Sequence, residues 1–199
     1  MNVLVGRRAF AAAVSMLLNL EQEKVAPSLS FERAIEILDS SCFSSFLRGV
    51  RESGNFLYRG ESNVDSPMIL DPEPDLLLFE TYGNGEAVDF FVCLEERLVS
   101  STSTVRPSNG HIGTPQKGEA EKWGSPVSVW PLESTSTFDY VWPKKSDQFF
   151  PGDCNASLAI SAGFADALRT GKEVMFRGRF LVLPDEYDTK LRRYFGIRP

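Results

Sequence analysis

Gly124-Ser125-Pro126-Val127-Ser128-Val129-Trp130-Pro131-Leu132 is the stretch whose reading decides the fold class. From Pro126 to Leu132 it reads as a strand. Val127 and Val129 face one way and Ser128 and Trp130 the other, because successive side chains on an extended chain alternate between faces. Upstream, Thr114-Pro115 opens a short helix that Gly124 closes, with Thr114 as N-cap, Pro115 at the first helical position and Gly124 just past the end. A short helix that delivers a strand, outside any regular strand–helix–strand repeat, points to an α+β chain.

Working outward, Ser30 caps a helix expected over about residues 31–52, with Ala34, Ile35, Leu38, Cys42, Phe46 and Val50 at helical spacing. Phe56-Leu57-Tyr58 reads as a short buried strand entering Arg59-Gly60, and residues 62–74 read as a loop. A second helix is expected over residues 86–98, and residues 100–115 as loop or edge strand. Downstream of the opening stretch, Phe138, Tyr140 and Trp142 mark another strand. A turn-rich connection follows, then a short helix over residues 161–169. Residues 173–183 form a β-rich stretch with Gly178 as its turn, and a last helix opens at Pro184-Asp185. The expected fold is a single α+β domain over residues 30–199 with a mixed or antiparallel β core and short flanking helices.

Composition sets the outer limits. The chain has 199 residues, 42% hydrophobic and 24% charged, which excludes a wholly disordered chain. The net charge of −6 argues against a nucleic-acid coat or an anionic-membrane binder. Arginine outnumbers lysine 14 to 7, and arginine favours forked contacts with carboxylates and phosphates. No Gly-x-Gly-x-x-Gly follows a strand and no Gly-Lys-Ser/Thr loop exists, so the dinucleotide-fold and P-loop enzymes are excluded.

The N-terminal 29 residues carry two readings. Arg7-Arg8, with Phe10 and an apolar run to Leu20, resembles a twin-arginine export signal, although Lys24 spoils the cleavage context at Ala26. The other reading is an amphipathic helix burying Phe10, Val14, Leu17 and Leu18. The run is too short to span a membrane. Cys42, Cys93 and Cys154 contain no Cys-x-x-Cys pair, which disfavours a zinc site; Cys42 and Cys93 read as small core residues, and reduced thiols in a cytoplasmic setting are the default. Export or an organelle is the alternative set by Arg7-Arg8, and only then does the sequon Asn155-Ala156-Ser157 matter.

Three segments carry candidate chemistry. His111, the one histidine, lies in a glycine-rich loop. It cannot build a histidine-rich metal site, but flanking glycines allow a backbone to approach a ligand. In Leu57-Tyr58-Arg59-Gly60-Glu61 an arginine ends an apolar strand, where it either pairs with a carboxylate or points its fork at an anion. Glu173 starts a hydrophobic strand just after Gly171, either as an edge charge or as a carboxylate facing a cleft. No Gly-x-Ser-x-Gly elbow accompanies the histidine.

Taken together, these segments resemble the Arg–Ser–Glu class of mono-ADP-ribosyltransferases over residues 56–183. Tyr58-Arg59-Gly60 looks like the family's Arg motif. Two segments compete for the Ser-Thr-Ser motif that ends a strand before a short helix and a further strand: Ser101-Thr102-Ser103 has the letters, and His111-Ile112-Gly113-Thr114 has the context. Glu173-Val174-Met175-Phe176 followed by Gly178, Phe180 and Val182 is similar to the late Glu strand, except that Gly171 occupies the first position of the Glu-x-Glu pair. Tyr58-Arg59-Gly60-Glu61-Ser62 is also similar to the start of Phe-Arg-Gly domains.

The resemblance implies that NAD is bound as a substrate and its nicotinamide–ribose bond cleaved, with transfer to a protein or small-molecule acceptor and without a metal. Glu173 would stabilise the charge on the ribose, Arg59 would hold the diphosphate or ribose, and Thr114, or Ser101 and Ser103, would brace Glu173. Tyr58, Gly60 and His111 would join Arg59 in binding, with Tyr58, Trp123 and Trp130 available as a stacking wall. A non-catalytic binding domain is the alternative.

Overall fold

Two antiparallel four-stranded sheets meet at a single backbone bridge. The structure, a computed structural model, describes residues 27–83, 85–132 and 138–198. The N-terminal helix or targeting segment lies outside the described residues, apart from the last few positions before residue 30.

The chain enters through α1 (Phe31–Ser41) and α2 (Ser44–Ser53). It continues through β1 (Tyr58–Glu61), β2 (Met68–Leu70), α3 (Asp75–Tyr82) and α4 (Gly85–Val99). Then come β3 (Gly110–Gly113), α5 (Lys117–Ala120) with a 3₁₀ turn (Glu121–Trp123), and β4 (Ser125–Pro131). The chain ends with β5 (Tyr140–Pro143), β6 (Leu158–Ile160), α6 (Phe164–Arg169), β7 (Val174–Arg177), β8 (Phe180–Pro184) and α7 (Asp188–Phe195).

The first sheet runs β1-β4-β8-β2 and the second β3-β7-β5-β6. They touch where Tyr58 N–H donates to Thr114 O at 2.7 Å and Thr114 N–H donates to Tyr58 O at 2.8 Å. The expected strands near Phe56 and Val127 belong to the first sheet and those near Tyr140 and Val174 to the second. Gly178, at φ +87°, carries the chain from β7 in one sheet to β8 in the other.

Alternation on the strands builds two cores. Val174 and Phe176 of β7 face the larger core with Trp130, Phe46 and Phe56, while Met175 between them faces a smaller core with Phe91, Leu94 and Leu98 of α4. The second sheet is therefore buried on both sides. On β4, Ser128 and Trp130 are buried along with Val127 and Val129. Ser128 survives there because its hydroxyl donates to Leu183 O at 3.3 Å and accepts Trp130 Nε1–H at 3.0 Å.

Several expectations change. The expected single helix over residues 31–52 is two helices, because Cys42 turns extended to bridge Leu132, and Phe43 N–H reaches Pro131 O. The expected loop over residues 62–74 contains β2, and α3 follows it directly. Thr114 is not the helix N-cap. It lies at the sheet junction, and its hydroxyl accepts Gln116 N–H at 3.1 Å instead.

The cysteine expectation is also corrected. Cys93 of α4 and Cys154 form a disulfide with Cα atoms 6.1 Å apart. The tertiary fold brings together two thiols 61 positions apart, a proximity invisible to a search for closely spaced pairs. Cys42 is buried, as expected. Among the described residues, no helix is long and apolar enough to cross a membrane.

Candidate active site

A cavity of about 530 Å³ opens beside the junction of the two sheets. β1 supplies Arg59 and Gly60, the end of β3 supplies Gly113 and Thr114, and Glu173 enters from the residue before β7. The helices close the other sides with Asp75, Phe79, Phe91 and Glu119, and Phe150 completes the wall. Gly60 allows this closeness: a Cβ there would lie 2.4 Å from Ala120 O and 2.6 Å from Gly124 N.

Arg59 is held by carboxylates. Its Nη1 donates to both oxygens of Asp75, at 3.2 and 3.1 Å, and to Ile112 O at 2.9 Å, while Nε donates to Glu61 Oε1 at 2.9 Å. Glu61 follows Arg59 by two positions on β1, so both side chains leave the same face of the strand. Asp75 comes from the first turn of α3, and its Oδ2 also accepts Ile112 N–H at 2.6 Å. Burial alone would lower the guanidinium pKa, but Asp75 and Glu61 outweigh it and the group stays charged.

Among the described residues, Glu173 has no such cation. Burial raises its carboxyl to about 7, with Glu119 and Asp75 adding to the rise. The opposing influence is Phe149 N–H, which donates to Oε2 at 2.7 Å. The backbone of Glu173 is tied to the same segment through its N–H to Asp147 O at 2.7 Å. A carboxyl poised near neutrality in a partly apolar cavity can exist in either protonation state at physiological pH.

The sequence candidates divide by position. Arg59, Gly60, Thr114 and Glu173 share the cavity wall. Tyr58 also borders it, but its hydroxyl is committed to Asp188 Oδ2 at 2.8 Å. Ser101 and Ser103 are not in the cavity wall. Their hydroxyls donate to Leu98 O and Val105 O, at and beyond the C-terminal end of α4 and away from the cavity. His111 is buried behind the wall between Phe176 and Phe180 rather than in a ligand-accessible loop, because β3 pairs with β7 and turns its ring inward. Trp130 is fully buried and cannot form a stacking wall, whereas Trp123 borders the cavity and is 73% exposed.

Sequence reading missed Asp75, Glu119 and the Phe149–Phe150 pair. The Pro74-Asp75 step signals a helix start, but nothing local connects Asp75 to Arg59. Among the described residues, no group of three His, Cys, Asp or Glu side chains is placed to hold a metal ion.

No protein-family model, curated protein or solved structure matches this chain.

Proposed function

We propose that this cleft binds NAD and cleaves its nicotinamide–ribose bond, as the resemblance to the Arg–Ser–Glu mono-ADP-ribosyltransferases implies. One observation carries the reading: Arg59 on β1, Thr114 just after β3 and Glu173 just before β7, spread over 115 residues of chain, line one cavity. Their setting also follows the order of the family's motifs. Thr114 directly follows β3, a short helix and a strand come next, and Glu173 precedes a late strand.

As the bond breaks, its electron pair goes to the nicotinamide nitrogen and positive charge develops on the ribose, giving an oxocarbenium-like transition state. Ionised Glu173 stabilises that charge, and the cationic nicotinamide ring of the substrate favours the ionised form before the bond breaks. Thr114 and the close backbone at Gly60 shape the ribose site, Arg59 faces the diphosphate, and exposed Trp123 offers a face for stacking. The acceptor then bonds to the ribose carbon and loses its proton.

A non-catalytic binding domain is the second reading. The pairing of Arg59 with Asp75 and Glu61, and Gly171 in the first position of the Glu-x-Glu pair, favour it. Calorimetric titration with NAD and assay of released nicotinamide separate the two. The transferase reading expects binding and release, with release lost in Glu173→Gln. NAD binding without nicotinamide release leaves only the binding domain, and absence of both rejects the NAD reading.

A further inference from the structure

The cleft as it stands is poorly suited to an anion. Arg59 faces Glu61, Asp75, Glu119 and Glu173 across one cavity, and its Nη1 and Nε are already engaged. A diphosphate entering this arrangement would meet more negative charge than positive. Yet the contacts of Asp75 are those of an anion in a cradle: a guanidinium on one side and the main-chain N–H of Ile112 at 2.6 Å on the other. A phosphate oxygen can accept from the same two donors.

The helix that brings Asp75 is lightly anchored. Leu76 is buried and Phe79 stacks on Phe91 with ring centroids 4.7 Å apart, but Leu77 and Leu78 are 45% and 40% exposed. Pro72 and Pro74 precede the helix and Gly83 follows it, so α3 is bounded by residues that interrupt regular structure on both sides. Displacing this eight-residue element lifts Leu76 and Phe79 off the smaller core and removes one carboxylate from the cavity. It frees Ile112 N–H and the part of Arg59 Nη1 that Asp75 holds, while Nη1 keeps its bond to Ile112 O.

We infer that Asp75 is an internal plug occupying the anion site formed by Arg59 and Ile112 N–H, and that α3 must swing away for the diphosphate of a dinucleotide to bind there. This inference rests on the NAD reading for its ligand and adds an autoinhibitory contact to it. Glu61 remains on Arg59 in the open state, so opening does not leave the guanidinium without a partner.

Calorimetry with inorganic pyrophosphate and with ADP-ribose tests the plug without requiring turnover. Wild type, Asp75→Asn and Arg59→Gln are compared. The amide of Asp75→Asn can still accept from Ile112 but no longer competes as an anion. Both ligands are expected to bind Asp75→Asn at least ten-fold more tightly than wild type, and Arg59→Gln is expected to lose them. Equal affinities in wild type and Asp75→Asn overturn the plug while leaving the NAD reading intact. Failure of both proteins to bind either ligand overturns both.

Hydrogen exchange on the wild type provides a measurement that does not depend on the folding of the variant. Saturating ADP-ribose should speed exchange of the α3 amides relative to the ligand-free protein. Unchanged or slower exchange in α3 with ligand bound overturns the plug.

Discussion

Phe149 donates its main-chain N–H to Oε2 of Glu173 at 2.7 Å, and among the described residues this is the hydrogen bond that holds the carboxyl in place. The geometry places a group that burial drives toward neutrality against a donor that favours its charged form. The balance leaves the ionised state available for chemistry at a cost to the fold.

That cost is measurable. The Glu173 carboxyl sits at about 7 in the folded protein against an ordinary 4.5, so its ionisation disfavours folding as pH rises through that interval. At pH 8, Glu173→Gln keeps an oxygen for Phe149 N–H and removes the buried charge. It should stabilise the protein by up to about 3 kcal/mol, at 1.36 kcal/mol per pKa unit, while abolishing nicotinamide release. Thermal melts at pH 8 check the first half. A lowered melting temperature would refute a buried charge that costs the fold.

His111 acts in the opposite direction. Burial, with Arg59 nearby, lowers its pKa from 6.5 to about 4, and its Nδ1 is buried with no hydrogen-bond partner among the described residues. Between these values the unfolded chain binds a proton that the folded protein refuses. Stability from this residue is complete above pH 6.5 and is lost as pH falls toward 4, by about 3 kcal/mol. The contributions of His111 and Glu173 therefore nearly cancel between pH 4.5 and 6.5. Urea denaturation across that range should show His111→Gln gaining stability on acidification relative to wild type and Glu173→Gln losing it. Parallel pH profiles in all three proteins would refute the pairing.

Gly60 is fixed by its neighbours. The atoms that a Cβ would strike belong to the backbone of the Ala120–Gly124 turn and cannot rotate aside. Gly60→Ala should destabilise by about 1–3 kcal/mol, the usual cost of overpacking, and should weaken NAD binding by moving that turn. Chemical denaturation and calorimetry on the same preparation test both effects.

The disulfide clamps α4 to the segment that leads back to Phe149 and Phe150. Closing a loop of this length constrains the unfolded chain by about 4 kcal/mol in the chain-entropy description. The double variant Cys93→Ser, Cys154→Ser should lose stability on that scale, and thiol titration of the unfolded, unreduced wild type should count one thiol, from Cys42. Three reactive thiols would restore the reduced-cysteine expectation.

Trp123 is exposed enough that its removal costs the fold little. Trp123→Ala should leave the melting temperature within about 2 °C, because exposed substitutions usually change stability by less than about 0.5 kcal/mol. Its expected effect is on ligand affinity, and unchanged NAD binding would remove it from the site.

What the sequence determined by itself is local. The helical spacing of Val88, Phe91, Leu94 and Leu98 produces α4 nearly where it was expected, although the structure buries Ala87 rather than Val88, and the alternation from Val127 to Pro131 produces β4, because each pattern presents one period to its surroundings. The α+β class follows from the order of such segments. The sequence left Arg59 between a carboxylate partner and an anionic ligand, and only the extension of β1 to Glu61 put a carboxylate on its own face.

Tertiary structure decided what depended on distant partners. Cys42 is extended because Leu132 offers it a backbone bridge, so a continuous helical pattern splits into α1 and α2. Thr114 rather than Ser101 or Ser103 reaches the cavity because β3 meets β1 at Tyr58, a pairing that no local signal specifies. Asp75 meets Arg59 and Cys93 meets Cys154 for the same reason. Carboxylates, guanidiniums and thiols are short-range groups whose chemistry depends on a few ångströms of separation, and only the packing of the two sheets and their helices sets those distances.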